Sequence, residues 1–162
     1  MITKIIRYII NVIRRLFNNP DCSGRLNVID VALYLIQLSL KRNKFLDINQ
    51  LTLLLLIIQK NYLEHKNFAL FKEDFILDNR NRLSIKEVSN YFCGFGIMDL
   101  FYPEDSEVNI SKSYKEEIEM LFDLYIDRVK SDKFKNQVNF LLKSFNSDSK
   151  FHKNFILYNL KI

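Results

Sequence analysis

The stretch "LTLLLLIIQ", residues 51–59, decides the fold. A helix that crosses hydrocarbon needs about 20 predominantly apolar residues. This run is closed by Asp47, Asn49 and Gln50 on one side and by Gln59, Lys60 and Asn61 on the other, so it is too short to span. A segment that is apolar nearly all round, yet too short for a membrane, belongs in the interior of a packed domain. Asp47 followed three residues later by Gln50 has the form of a capping box, which predicts a helix from residue 48 to about 65 with the Leu-rich run as central core.

Working outward, the totals bound what surrounds that helix. A chain of 162 residues is most simply one domain, since a core of this size buries roughly 70% of the unfolded chain's surface without outside help. Apolar residues make up 48% and charged residues 27%, ordinary globular usage that argues against disorder and against a membrane bundle. Three glycines and two prolines leave few sharp turns, and that scarcity, with the long helical periodicities, argues against a sandwich or barrel of many short strands. Cys22 and Cys93 show no pairing pattern and no secretory leader precedes them, so both are read as reduced thiols in a cytoplasmic protein. His65 and His152 each stand without a second His or Cys three to five residues away, and no metal site is expected.

The net charge of +5 is concentrated at the start, where Lys4, Arg7, Arg14 and Arg15 are accompanied by no acid. Winding "ITKIIRYIINVIRRLFN" at the helical angle gathers those cations, with Thr3, Asn11 and Asn18, into an arc of about 120°, opposite a broad isoleucine face. Packing of that face on the domain is the favoured reading. Contact of residues 2–17 with an anionic membrane surface is the rival, and flotation with acidic liposomes before and after deleting residues 1–19 separates them.

Further along, "NNPDCSG", residues 18–24, is turn chemistry, with Gly24 able to take positive φ. Asn27 is a plausible cap for a buried helix over "VIDVALYLIQLSL". Ser84 with Glu87 and Ser113 with Glu116 have the spacing of two more helix starts, predicting helices near 85–92, ending by Gly94, and near 114–130. Inward faces are expected from Ile118, Leu121, Phe122, Tyr125 and Val129, then from Phe134, Val138, Leu141, Leu142 and Phe145 in the next helix. A last short helix is expected around 151–160, and "FKEDFILDNRNR" reads as irregular or as a small strand pair.

No hydrolase elbow, phosphate loop or dinucleotide fingerprint occurs. "CGFGI", residues 93–97, follows a helix, so its glycines read as helix termination and close packing. Glu116, Glu117, Glu73 and Asp74 sit beside solvated lysines that would not raise a carboxyl pKa for acid catalysis. "KSDKFKNQ" and "SKFHKNF" interleave Lys with Phe, but each Phe fits helical core spacing, so core plus solvated lysine is favoured over a nucleic-acid surface.

Residues 27 to about 98 resemble the Panacea domain family of SocA-like antitoxin and phage-associated proteins. The resemblance is carried by Asp30, Val31, Ala32 and Tyr34 in the first segment. It continues through Leu51, Leu54, Leu55, Gln59, Tyr62, Leu63, Leu70, Phe71, Asp74 and Phe75, and ends in Glu87, Val88, Phe92, Gly94, Phe95 and Gly96. Two departures stand out: Leu53 occupies a place where that family usually has lysine, and "NRNRL", residues 79–83, replaces its Trp-x-x-Gly-Pro stretch. The resemblance implies a helical, non-enzymatic protein that neutralises a cognate protein toxin by direct binding, or delivers it to a protease or chaperone, with no small-molecule cofactor.

The expectation is therefore an all-α, compact single-domain bundle of six to seven helices around a buried central helix, with room for one small strand pair near 68–80. Residues 1–19 form a basic amphipathic helix, 20–26 a turn or linker, and 27–162 the Panacea-like domain. Asp30, Leu51, Leu54, Leu55, Gln59, Tyr62, Phe71, Phe75, Gly94 and Gly96 are its core. The candidate contact surface is Asn79, Arg80, Arg82 and Lys86, which stand at the family's signature stretch yet offer charges and polar groups no core accepts unpaired.

Overall fold

A computed structural model describes residues 21–77, 82–94, 99–100 and 107–143, with side chains up to residue 140. Five helices and one small sheet occupy them: α1 (Val28–Lys41), α2 (Ile48–His65), β1 (Phe75–Leu77), β2 (Leu83–Ile85), α3 (Lys86–Tyr91), α4 (Lys112–Val129) and α5 (Asp132–Lys143). The protein is thus mostly helical with a two-stranded antiparallel sheet. The helices expected over 2–17 and 151–160 lie outside the described residues.

Local chemistry explains both central helices. The Asn27 Oδ1 accepts from the Ile29 N–H at 2.7 Å and starts α1, as its position predicts. At α2 the capping box is complete: Asp47 Oδ1 accepts from the Gln50 N–H at 2.8 Å, and Gln50 Oε1 accepts from the Asp47 N–H at 3.1 Å. The stops use asparagine. Asn43 (φ 51°) and Asn67 (φ 60°) take the left-handed conformation just past α1 and α2, a region asparagine tolerates better than most residues. After α1 the Lys44 N–H reaches the Ser39 carbonyl at 2.8 Å and the Asn43 N–H the Leu40 carbonyl at 3.1 Å, the paired bonds of a Schellman stop.

Helix α2 is the centre. Residues 51–60 are buried without interruption, and Leu54 and Leu55 are 0% exposed. Helix α1 is buried nearly all round, and α2 packs against α1, α4 and β2. Burying a leucine of this kind contributes about 1.5–3 kcal/mol, so the Leu-rich run is a large single contribution to the driving force for folding. Among the described residues no helix is long and apolar enough to cross a membrane.

Residues 21–26 are stitched to the segment after α2. Asp21 and Leu26 form parallel bridges with Phe68 and Phe71, and the Arg25 and Leu26 N–H groups both reach the Leu70 carbonyl at 2.8 Å. Gly24 is required there: its φ is +73°, and a Cβ would lie 2.5 Å from the Lys72 nitrogen.

Several expectations are corrected. One strand pair exists, but its second strand, Leu83–Ile85, lies beyond residue 80. Ser84 does not cap a helix; it is in β2, its Oγ is 2.7 Å from Ser89 Oγ, and α3 begins after Ile85 with no side-chain cap. Helix α4 starts from Ser111, which places Ser113 inside its first turn. On α4 the buried stripe is Ile118, Leu121, Phe122, Ile126 and Val129, and Tyr125 is only partly buried. Phe134 and Val138 are buried as expected, while the Leu141 and Leu142 side chains and Phe145 lie outside what is described. Gly94 is not core: it is exposed and a Cβ there would meet nothing within 4 Å, so close packing does not explain it. Asp30 is half-buried in the first turn of α1, where a carboxylate opposes the helix dipole's positive end.

Candidate partner-binding surface

The residues that carry the family resemblance divide sharply by location. Leu51, Leu54, Leu55, Gln59, Tyr62, Phe71 and Phe75 are all buried, so they build the scaffold rather than touch a partner. Gln59 shows how. Its Oε1 accepts from the Leu70 N–H at 2.8 Å and the Phe71 N–H at 3.3 Å, while its Nε2 donates to the Phe71 carbonyl at 2.8 Å. A glutamine in the core satisfies three backbone groups of a segment that has no sheet of its own. Gly96 lies outside the described residues.

Two of the four predicted contact residues, Arg82 and Lys86, are placed at the β1–β2–α3 unit. Pairing of Phe75 with Ile85 and Leu77 with Leu83 directs those side chains to one face, and Ile76 with Ser84 to the other. Phe75, Ile85 and Val88 are buried, whereas Ile76 is 41% exposed. Arg82 and Lys86 flank β2 and are exposed. Asn79 and Arg80 lie outside the described residues, as do Lys4, Arg7, Arg14 and Arg15. Lys86 opens α3 at the end where the helix dipole disfavours a cation, so local helix stability does not explain it. The same unit exposes Tyr91, 54% accessible, with its ring edge-on to Phe92 at 4.9 Å. Sequence reasoning missed Tyr91: at i+3 from Val88 it has the spacing of a buried face, so periodicity gave no signal of its exposure.

A second polar surface joins α4 to the ends of α1 and α2. Arg42 forks onto Asp123, with Nε to Oδ1 at 3.1 Å and Nη2 to Oδ2 at 3.0 Å, and Nη2 also donates to Glu119 Oε1 at 2.6 Å. Lys44 Nζ donates to both Asp127 oxygens, at 2.6 and 2.8 Å. The Tyr62 hydroxyl donates to Glu117 Oε2 at 2.7 Å, and Lys66 Nζ donates to Oε1 at 3.1 Å. Those two bonds hold the Glu117 carboxyl below its usual pKa, the tyrosine bond first. Arg42 does the same for Asp123, and burial followed by Glu117 pushes the Tyr62 hydroxyl up. Tyr34 is raised mainly by burial, with Glu119 adding to it. These groups are engaged with one another, so this surface reads as a clasp holding α4. The Glu116 and Glu117 carboxylates resolve differently: Glu116 is exposed near Lys112, at 3.9 Å, while Glu117 is in the clasp.

Cys22 and Cys93 are exposed and form no disulfide among the described residues, and His65 is exposed in the last turn of α2. No family model, curated protein or solved structure matches the chain.

Proposed function

We propose that the protein is an antitoxin-like, non-enzymatic binding module of the cytoplasm that neutralises a cognate protein toxin by direct contact, or hands it to a protease or chaperone. The observation that carries this reading is the division of labour among the motif residues. The apolar ones and Gln59 are spent on the core, which leaves the β1–β2–α3 unit to present Arg82, Lys86, Tyr91 and Ile76 outward. Arginine and tyrosine are the side chains that most often anchor protein interfaces. Asn79 and Arg80, which precede Arg82 in the chain, lie outside the described residues.

Co-expression with the product of the neighbouring reading frame, where that product is toxic alone, tests the proposal. Rescue of growth by the wild-type chain and its loss in Arg82→Glu/Lys86→Glu, with folding verified by circular dichroism, is the expected result. Failure of the wild-type chain to rescue counts against the antitoxin reading; rescue by the double variant counts against the surface.

A further inference from the structure

We infer that a notch between α2 and α4, with Lys60 in its wall, is a binding site for a small oxyanion, a carboxylate or phosphate group. Ile57, Lys60, Asn61 and Glu64 of α2 and Tyr125 and Arg128 of α4 line it, and its volume is about 50 Å³. At ~10–15 Å³ for each water-sized group, that is space for about three to five oxygens, the footprint of such an anion.

The charges make the case. Lys60 is 8% exposed, and lysine is seldom buried unless its charge is met. Its ammonium donates to Glu64 Oε1, which uses one of three N–H donors. Arg128 enters the notch from the other side. Its guanidinium lies over the Phe134 ring, 4.8 Å from the centroid, a contact that uses none of its five N–H donors. Among the described residues Arg128 has no carboxylate within ion-pair distance. Two cations against the single carboxylate of Glu64 leave one positive charge over, that of Arg128 at the exposed side of the notch, facing the buried Lys60 across it. Asn61 and Tyr125 add neutral donors to the lining, and Ile57 contributes an apolar wall. An oxyanion bridging Lys60 and Arg128 would answer the spare charge and the spare donors together. The site uses none of the hairpin residues invoked for partner binding.

The test is a titration of the full chain followed by amide NMR, with ionic strength held constant by sodium chloride. One arm uses sodium phosphate and the other a hexaglutamate peptide. The expected result is a saturable shift of amides in 57–64 and 125–128 in at least one arm. Affinity should fall by about tenfold or more in Arg128→Gln, the loss expected for a charge-assisted bond, and stay unchanged in Lys133→Gln. Response to phosphate assigns a free ion as ligand; response to the peptide alone assigns a carboxylate carried on a protein. No saturable shift in either arm, or equal binding by Arg128→Gln, overturns the site. Arg128 is exposed but covers the core residue Phe134, so an amide spectrum of Arg128→Gln unchanged outside residues 125–138 verifies the fold before the affinities are compared.

Discussion

Replacing Gln59 by leucine keeps the side chain's size and removes its polarity, which makes it the sharpest probe of how the central helix holds its neighbour. The variant leaves the Leu70 N–H, the Phe71 N–H and the Phe71 carbonyl without the partner each has now, in residues that are 0% exposed. A buried backbone group stripped of its partner costs about 1–3 kcal/mol. Two of the bonds are 2.8 Å and the third, at 3.3 Å, is weaker. Their loss, less about 1 kcal/mol recovered by burying an apolar side chain, comes to roughly 3–5 kcal/mol. Against the usual total of about 5–15 kcal/mol that is a large fraction of the stability. Urea unfolding followed by circular dichroism reads it directly, and with m near 1–3 kcal/mol per molar the midpoint should fall by about 2 M. Gln59→Glu sharpens the reasoning. A carboxylate keeps the acceptor but sets a charged oxygen against the Phe71 carbonyl, so its folded pKa must be raised and the protonated form preferred. A group raised on folding contributes stability at low pH that is lost as pH rises. Gln59→Glu should therefore be weak at pH 7 and regain part of the deficit near pH 5. A deficit below about 1 kcal/mol for Gln59→Leu, or no pH recovery for Gln59→Glu, would refute the role assigned to this side chain.

The clasp on α4 predicts an acid limb. Glu117 and Asp123 have folded pKa values below the ordinary carboxylate range, so the stability they add is present above about pH 4 and lost as pH falls through those lower values. The thermal midpoint should hold between pH 7 and 5 and drop below 4, with Asp123→Asn and 1 M salt both flattening the drop; an unchanged limb in both would show the clasp to be idle. At the stop of α1, Asn43→Val should cost about 1–2 kcal/mol by forcing a β-branched residue to positive φ, whereas Asn43→Gly should be close to neutral. Equal stability of the two variants in urea would mean that the Schellman turn rearranges without penalty.

The parts of this fold that were legible in advance are those decided within one helical turn. The Asp47–Gln50 box, the Asn27 cap and the apolar faces of α1 and α2 depend on residues three or four apart, and each appears where its spacing put it. Ser84 had the same local signature and failed. Leu83, Ser84 and Ile85 are instead drawn into pairing with Leu77, Ile76 and Phe75, and the Ser84 hydroxyl meets Ser89, which no short window contains. Gln59 and Lys60 make the point for the site. In sequence they close the Leu-rich run; only the family resemblance puts Gln59 in the core and nothing puts Lys60 there, yet both are buried. Gln59 is covered because the 68–71 segment needs its three bonds, and Lys60 lies in the groove to which α4 brings Arg128. Propensity, capping and periodicity are properties of neighbours along the chain, so composition and pattern alone established a helical body built on residues 51–59. Which polar groups pair across the interior, and where a spare charge is left over, depend on contacts between residues tens of positions apart, and only the packing of α2 against its neighbours settled them.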